Sequence, residues 1–366
     1  MRKILVVGQT PPPYGGQANM IKYMLEGRYQ DIKMYHVRMS FTKAFTERGK
    51  FALHKVTHLF VVIWNIWVAR LKYGTDNMYY PLSSAPKVAV LRDAIILCFT
   101  RFLFKKVVYH FHAAGISEEL PKYNWLLRKV IYAIESRPDM TITSSEYNPK
   151  DGEYLKSKDV RIMPLGIPDD NRMEVRTEFG KKPYLTLMHM GLLNGSKGEG
   201  YVLEAVKELN ERGCDVRFIL TGQFESEEYK NDFYGRVKKY NLTEKFDYRG
   251  VVTGEEKRKA FLDSDVFCFP SYFHSESFGV VLLEGMMYQM PVVASRRRGL
   301  ISVVDEGKNG YLVDVHNSTQ IADAVETLYK DRKLLENMAK RGREMFIEKY
   351  VLSQYIANIE KILKSL

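Results

Sequence analysis

Short apolar runs alternate along the chain with longer stretches whose apolar residues recur every three or four positions. The run "RKILVVG" at residues 2–8 predicts a buried strand, and "NMIKYMLEG" after it predicts a helix. "NMYYPLSS", "KKVVYHFHAAG" and "DMTITSSEY" repeat this order, each ending in small or polar residues before helical sequence. Strands that alternate with helices predict a parallel sheet covered by helices on both faces.

The alternation starts again after a polar, proline-bearing stretch at residues 166–183, which predicts a linker. "YLTLMHMG", "VRFILTG", "VFCFPS", "PVVAS" and "GYLV" predict the strands of a second doubly wound sheet. We therefore predict an α/β protein with two Rossmann-like domains, over residues 1–166 and 184–345, and a cleft between them at the carboxyl ends of both sheets. The remaining segment, 346–366, holds an amphipathic helix at 351–366 that we expect to pack back on the first domain.

Composition narrows the class of protein. The 366 residues are 45% hydrophobic and 27% charged, which is typical of a globular protein with substantial cores. The three cysteines, Cys98, Cys214 and Cys268, lie far apart, which argues against a zinc site or a disulfide framework. The sequence shows neither a signal peptide nor an apolar run of spanning length, so we expect a cytoplasmic protein.

The positive charge is concentrated near the start of the chain. Residues 1–110 hold 17 Lys/Arg and 5 Asp/Glu, whereas the remaining residues hold 38 and 39. This asymmetry predicts an anionic partner, and the absence of any nucleic-acid recognition motif favours a membrane surface or a phosphorylated substrate. The segment at 51–74, with Trp64 and Trp67, fits either a core helix or a contact with an anionic membrane.

Two stretches of the second domain carry candidate chemistry. In "SESFGVVLLEGMMYQMP", Glu276 precedes a helix that we expect to begin at Phe278, Gly279 and Val280, and Glu284 lies within it. The free amides at a helix start suit a phosphate, whereas the two carboxylates suit hydroxyl groups. In "GLLNGSKGEG", Lys197 can place a positive charge on a phosphate. These groups together suit a ligand that has a phosphate between two hydroxyl-bearing parts, and a nucleotide sugar is such a ligand.

The two glutamates form E-x7-E, and other motifs accompany it in order along the chain. These are "PPPYGGQ", "VVYHFH", "SSEYNPKDGEYL…RIMPLGI", "GLLNGSKG", "GVVTGEEKRKAFLDSDVFCFPS" and "DEGKNGYLV". Together they resemble the family 4 retaining glycosyltransferases of the GT-B fold, and the resemblance covers nearly the whole chain. It implies a GT-B architecture, in which two Rossmann-like domains face a central cleft.

The resemblance also implies roles for individual residues. Lys197 would neutralise a donor diphosphate, Glu276 would contact hydroxyls of the transferred sugar, and Glu284 would bind the ribose hydroxyls. His112 would face the reaction centre, although His110 lies two residues away on the same strand face. The further donor-binding residues that it implies are Gly15, Gly16, Val251, Phe278, Gly279 and Val280.

The sequence departs from the family pattern in three places. Leu192 stands where the family has an arginine in its lysine loop, Leu165 replaces a common asparagine, and Arg296–Arg298 replace an acidic or glycine-rich turn. We expect Arg249, or one of the three consecutive arginines, to supply the missing donor-binding cation. "DSD" at 263–265 resembles a metal-binding D-x-D, but its place at a helix end before a core strand argues against that role. We therefore expect no metal, with Lys197 and helix dipoles offsetting the leaving-group charge.

The resemblance implies retaining transfer of a hexose-type sugar from a nucleoside-diphosphate sugar, with a UDP-sugar favoured and no cofactor. The acceptor would be a hydroxyl compound, such as a lipid-linked glycan of surface polysaccharide biosynthesis, at the inner face of the membrane. Two alternatives stay open. One is another GT-B enzyme, such as a nucleotide-sugar epimerase or a phosphorylase, and the other is a nucleotide-sugar-binding protein without transfer activity.

Overall fold

The computed structural model describes residues 1–12, 15–41, 53–171 and 182–366. The chain forms two compact units. The first contains residues 1–165 together with 352–366, and the second contains residues 166–351.

The first unit is built on a sheet of six parallel strands among the described residues. Their order across the sheet is β2-β1-β3-β4-β5-β6, so the order reverses between β1 and β3. Leu5 and Val7 belong to one core cluster, and the alternating Ile4 and Val6 are also fully buried, so both faces of β1 are covered. The strands are β1 (Arg2–Gly8), β2 (Ile32–Arg38), β3 (Asn77–Tyr80), β4 (Lys106–Phe111), β5 (Met140–Thr143) and β6 (Val160–Ile162).

Helices connect these strands. Three of them, α2, α3 and α5, share one core cluster with Leu5, Val7 and Tyr109 of the sheet. The helices are α1 (Gly16–Glu26), α2 (Leu53–Tyr73), α3 (Lys87–Thr100), α4 (Ile116–Glu119), α5 (Trp125–Glu135) and α6 (Asp151–Tyr154), with 3₁₀ turns at Arg101–Leu103 and Leu120–Lys122. None of the helices in the described ranges is both long and apolar enough to cross a membrane.

The second unit repeats the architecture with six parallel strands in the order β12-β11-β10-β7-β8-β9. Its order reverses between β7 and β10, which are neighbours in the sheet. The strand β7 pairs with β8 along nine residues and ends only at Leu193, two residues beyond the run that the sequence pattern marked. The strands are β7 (Leu185–Leu193), β8 (Val216–Phe224), β9 (Phe246–Tyr248), β10 (Val266–Phe269), β11 (Val292–Ser295) and β12 (Gly310–Val313).

The helices of the second unit bury an apolar side against this sheet. In α7, Val202, Leu203, Val206 and Leu209 are fully buried, at the spacing of one helix face. The helices are α7 (Glu199–Glu211), α8 (Glu227–Lys239), α9 (Gly254–Leu262), α10 (Val280–Met287), α11 (Leu300–Val303), α12 (Ser318–Lys330) and α13 (Arg332–Met345), with a 3₁₀ turn at Thr243–Lys245 and a π-helical turn at Phe346–Tyr350.

The ends of the second unit extend beyond residues 184–345. Residues 166–171, which the polar sequence predicted as linker, are held within it because Asp169 accepts two hydrogen bonds of 2.8 Å from Arg343 of α13. The π-helical turn Phe346–Tyr350 belongs to it as well. Residues 172–181 of the predicted linker lie outside the described residues.

The last helix, α14 (Leu352–Lys364), belongs to the first unit. Arg2 donates a hydrogen bond of 2.8 Å to the carbonyl of Leu363, and Lys364 lies 3.1 Å from Asp31. Tyr355, Ile359 and Leu363 bury the apolar side of the helix.

Candidate functional site

The reversal of strand order in the second unit places a crevice at the carboxyl ends of β7 and β10. Open α/β sheets bind their ligands at such a point. The loop after β7 carries Lys197, and the loop after β10 carries Glu276. Both predicted residues therefore follow the two strands that flank the reversal.

The Lys197 loop packs directly on the loop after β10. Gly198 has φ +89, and a side chain there would clash with the carbonyl of Pro270. The amide of Tyr272 donates to the carbonyl of Ser196 at 2.9 Å, which joins the two loops. The glycine and this hydrogen bond fix the position from which Lys197 extends.

Lys197 and Glu276 form an ion pair of 2.7 Å. Their side chains are only 18% and 12% exposed, so water screens the pair weakly. The Ser271 hydroxyl donates to the same carboxylate oxygen at 3.2 Å, and the ammonium group lies 4.2 Å from the centre of the Phe273 ring. The structure thus brings together two of the three residues for which the sequence predicted a catalytic role.

The start of α10, Val280, lies four residues after Glu276. Gly279 is the N-cap of the helix with φ +72, and as a glycine it provides no side-chain cap. Phe278 is buried, and Gly299 fits so closely that a side chain there would clash with the carbonyl of Ser277. The helix begins at Val280, and the amides at the start of a helix are groups that can bind an anion.

Glu284 lies in the second turn of α10 and pairs with a residue that sequence analysis did not single out. Its Oε1 is 2.9 Å from Nζ of Lys257, which lies in α9. Its Oε2 is buried and has no hydrogen-bond partner among the described residues. No motif marked Lys257, because its position beside Glu284 arises only when α9 and α10 pack in the folded unit.

The remaining cations predicted for the donor site are differently placed. Arg249 contacts Asp247 at 2.7 Å and Asp263 at 2.8 Å, so two carboxylates already hold its guanidinium group. Arg296 pairs with Glu306 at 3.0 Å. The substitution of Arg249 for the missing arginine is therefore not supported by its contacts in this structure, and its donor-binding role stays a prediction.

Other predicted residues lie near these elements. Arg297 has a buried Nε without a partner among the described residues. Val251, in the loop after β9, is 65% exposed. The backbone of this loop lies beside the end of β8, because the amide of Gly222 donates to the carbonyl of Gly250 at 2.7 Å. The expected contact between Val251 and a nucleotide base stays a prediction.

A buried histidine underlies the crevice. His189, in β7, is fully buried and shares a 2.9 Å hydrogen bond between Nδ1 and the carbonyl of Cys268. Burial lowers the pKa of His189 to about 4, and the charge of Lys197 acts in the same direction. The ring is therefore neutral at physiological pH. The alternating pattern of β7 marked this residue only as part of a core strand.

The "DSD" stretch has structural partners. Asp265 accepts a hydrogen bond of 2.9 Å from the amide of Thr186, and Asp263 is paired with Arg249. Within the described ranges, no three or more His, Cys, Asp or Glu side chains are grouped so that they could hold a metal ion. The expectation of a metal-independent protein stays a prediction.

In the first unit, His112 follows the end of β4. The rings of His110 and His112 lie 4.1 Å apart, so the two residues share one side of the strand as expected. The Tyr79 hydroxyl lies 2.5 Å from Nδ1 of His110 and 3.4 Å from Nε2 of His112. Burial lowers the pKa of His112 to about 3, which keeps it neutral. Its predicted role at a reaction centre is not tested by these contacts.

The two predicted loop glycines lie at the start of α1. Gly15 is the N-cap of the helix, has extended backbone and provides no side-chain cap. A side chain at Gly16 would meet no atom within 4 Å. Packing within the unit therefore does not require a glycine at position 16, and the expected approach of a ligand stays a prediction.

Residues 171–345, which hold both ion pairs and the start of α10, match the family described as Glycosyl transferases group 1. The match covers almost the whole second unit, which is less than half of the chain. The match confirms the resemblance that the motifs indicated.

Relatives of the chain include the alpha-D-kanosaminyltransferase of Streptomyces kanamyceticus, 28% identical over 50% of this chain and 46% of the relative. The sulfoquinovosyl transferase of Arabidopsis thaliana is 25% identical over 73% of this chain and 53% of its own length. A phosphatidyl-myo-inositol mannosyltransferase of Mycobacterium leprae is 30% identical over 45% of this chain and 42% of its own length. The chain thus spans only 42–53% of the length of these relatives.

Solved structures confirm the predicted fold class. HepE of Anabaena in complex with UDP has a TM-score of 0.75 at 16% identity, and each chain is covered over 100%. The sucrose-phosphate synthase of Thermosynechococcus elongatus has a TM-score of 0.72 at 18% identity, over 100% of this chain and 99% of its own. The chain therefore has the GT-B fold, with two parallel six-stranded sheets among the described residues.

Proposed function

We propose that this protein is a retaining glycosyltransferase that moves a hexose-type sugar from a nucleoside-diphosphate sugar to a hydroxyl acceptor. The observation that carries the proposal is the pair of Lys–Glu contacts, Lys197–Glu276 and Lys257–Glu284, at the start of α10 and within it. Carboxylates accept hydrogen bonds from sugar hydroxyls, whereas ammonium groups and helix amides bind phosphate. Groups of both kinds together suit a ligand with a diphosphate between two polyhydroxyl parts.

Comparisons support a nucleotide sugar as the donor. Structures of HepE, which shares this fold, contain UDP, UDP with glucose, and UDP-glucose. We therefore favour a UDP-sugar as substrate. In this assignment Glu284 binds the ribose hydroxyls, Glu276 binds the transferred sugar, and the loop at Val251 lies near the base.

The proposed chemistry requires neither metal nor cofactor. As the glycosidic bond to the diphosphate breaks, negative charge grows on the leaving phosphate oxygens. Lys197 and the first amides of α10 would stabilise that charge, and Lys257 would supply the cation missing at Leu192. We propose that the acceptor attacks from the face that the diphosphate leaves, rather than after a double displacement of the kind that retaining glycosidases use.

We further propose a lipid-linked acceptor, at the inner face of a membrane, in the assembly of a surface polysaccharide. The concentration of positive charge in residues 1–110 supports an anionic surface as partner. One of the relatives, the phosphatidyl-myo-inositol mannosyltransferase, has a phospholipid in its name. His112, neutral and at the carboxyl end of β4, would lie on the acceptor side of the reaction.

The decisive experiment compares Glu276→Ala with a matched variant, Glu244→Ala, whose glutamate is exposed in the same unit. We expect Glu276→Ala to abolish sugar transfer and to leave UDP affinity within about threefold, because charge-assisted hydrogen bonds to the sugar alone are lost. The Glu244→Ala protein should behave as wild type. Equal loss of UDP affinity and transfer in Glu276→Ala would contradict the assigned role.

One observation favours a second candidate, a nucleotide-sugar-binding protein without transfer activity. Leu192 occupies the end of β7, so a cation that would offset leaving-group charge is missing from that position. The two candidates differ in UDP release. A transferase releases UDP in proportion to an added acceptor, an epimerase converts the donor without acceptor, and a binding protein does neither.

A further inference from the structure

Large exposed apolar side chains are unevenly distributed over the chain. Among the described residues, 18 such side chains are exposed, and 13 of them lie on α2, α3, α5 and the 3₁₀ turn Arg101–Leu103. The chain contains three tryptophans, Trp64, Trp67 and Trp125, and all three are among these exposed residues. A patch of this composition marks an interaction surface rather than chance exposure.

The helix α2 is apolar on two sides. Val62, Ile66 and Ala69 are buried towards the sheet, whereas Trp64 and Leu71 are 69% and 77% exposed on the other side. A helix that only completed the core would bury one apolar side and present polar residues outward. The outward apolar side of α2 is therefore not explained by the fold.

The exposed sides of the helices join into one surface. Nε1 of Trp67 donates to the carbonyl of Phe99 at 3.1 Å, and its ring lies 5.6 Å from that of Phe102. These contacts connect α2 to α3 and to the turn that follows it. Arg101 then donates to the carbonyl of Ser136 at 2.7 Å, which ties this turn to the end of α5. We call the outward sides of α2, α3, α5 and this turn the aromatic-basic face.

The charge of these elements has one sign. Their sequences contain eight Lys or Arg and two acidic residues, Asp93 and Glu135. Both acidic side chains are fully buried, so the charged groups that these elements expose are basic. On α5, the exposed Lys129 lies beside the exposed Val130, and Lys87 at the start of α3 is also exposed. Basic groups interleaved with tryptophan complement the headgroup region of an anionic bilayer.

We propose that the aromatic-basic face is a membrane-attachment site that lies on an anionic phospholipid bilayer, with its tryptophans in the interfacial layer. A second copy of the chain fits less well, because two faces of the same positive charge would repel each other. Attachment itself depends only on this surface. That it brings the protein to a lipid-linked acceptor rests on the proposed function.

Because all three tryptophans lie on this face, binding of the intact protein to vesicles can be followed by its intrinsic tryptophan fluorescence. Vesicles of phosphatidylcholine mixed with phosphatidylglycerol should shift its tryptophan emission to shorter wavelength, and lipids brominated on the acyl chain should quench it. Vesicles of phosphatidylcholine alone should give a weaker effect, and added salt should weaken binding without abolishing it, because part of the attraction is apolar. Unchanged emission with anionic vesicles, from a protein that unfolds cooperatively, would overturn the proposal.

Variants then test the location. In vesicle co-sedimentation, the double variant Trp64→Ser/Trp67→Ser should partition at least about tenfold less than wild type, since each indole contributes buried area in the interface. The matched control, Ile162→Ser/Ile347→Ser, removes two exposed apolar side chains outside the face and should partition as wild type. Equal partitioning of the two double variants would overturn the assignment.

A charge variant and two further measurements separate the remaining outcomes. Lys129→Glu should weaken partitioning about fivefold, because one basic group near an anionic surface contributes about 1 kcal/mol, whereas Lys239→Glu on α8 should not. Light scattering without vesicles should show no change of mass in Trp64→Ser/Trp67→Ser. A wild-type dimer that this variant dissociates, without vesicle binding by either, would assign the face to self-association and refute membrane attachment. UDP binding should be the same in all of these variants, because the face lies outside the proposed donor site. A wild-type protein that binds vesicles but not UDP would refute the proposed function and leave membrane attachment standing.

Discussion

The ribose contact proposed for Glu284 can be tested by changing the protein and the ligand together. Oε1 of Glu284 is held by Lys257 at 2.9 Å, whereas Oε2 is buried without a partner among the described residues. One carboxylate oxygen is therefore available to ribose hydroxyls. Removing the carboxylate in Glu284→Ala, or the hydroxyls in 2′,3′-dideoxy-UDP, should remove the same interaction.

The magnitude follows from that single available oxygen. A hydrogen bond to a charged group contributes about 1.5–3 kcal/mol, which corresponds to roughly a ten- to hundredfold change in affinity. Because Oε2 is already withdrawn from water in the free protein, binding adds little desolvation cost there, and we expect the upper part of this range. The side chains of Lys257 and Glu284 are 27% and 16% exposed, so we expect loss of their ion pair to cost the unit only about 1 kcal/mol of stability.

Calorimetric titration of both ligands into wild type, Glu284→Ala and the control Glu256→Ala measures the coupling. Glu256 is exposed on α9 and should not affect the result. Wild type should prefer UDP over the dideoxy analogue by roughly ten- to hundredfold, and the preference should fall to about one in Glu284→Ala. A preference that survives in Glu284→Ala would show that the hydroxyls bind elsewhere and would refute the assignment.

Three further variants test the elements around this site. Gly279→Ala should cost about 2–4 kcal/mol, because it forces a side chain into a left-handed backbone and against Leu300, whereas Gly254→Ala, left-handed but in open space, should cost only about 1–2 kcal/mol by urea unfolding; equal losses would contradict the packing argument. His189 has its pKa lowered from 6.5 to about 4, so the unfolded chain takes up its proton first and stability falls as the pH drops from 6.5 to 4. The total loss is about 3 kcal/mol, and it should be absent in His189→Leu; parallel stability curves for the two proteins would refute it. Lys197→Met should weaken UDP binding about tenfold or more and leave uridine binding unchanged, because its charge acts on phosphate; an equal effect on both ligands would place the lysine elsewhere.

Most of the fold could be predicted because local patterns and long-range packing agree. The apolar runs of β7, β10 and β11 are buried on both faces of a parallel sheet, as continuous apolar sequence indicates. The spacing of Val202, Val206 and Leu209 marked α7, and Gly213 with φ +84 follows its end. The placement of both E-x7-E glutamates after β10 could be predicted because they lie on one strand–loop–helix segment.

The features that the sequence did not show arise from contacts between distant segments. Lys257 meets Glu284 across 27 positions of the chain, and no local pattern encodes that contact. The polar stretch at 166–171 looked like linker because its partner, Arg343, lies far along the chain. Arg249 looked like a free cation because Asp263 approaches it only in the folded unit.

The central claim is that sugar is transferred with retention of configuration, and proton NMR of the reaction product tests it most directly. A screen of nucleotide sugars for release of nucleoside diphosphate would first identify the donor. The anomeric coupling constant of the new glycosidic bond should then match the configuration of the sugar in that donor, and Glu276→Ala should form no product. A product with inverted configuration, or no transfer with any donor that binds, would contradict the account.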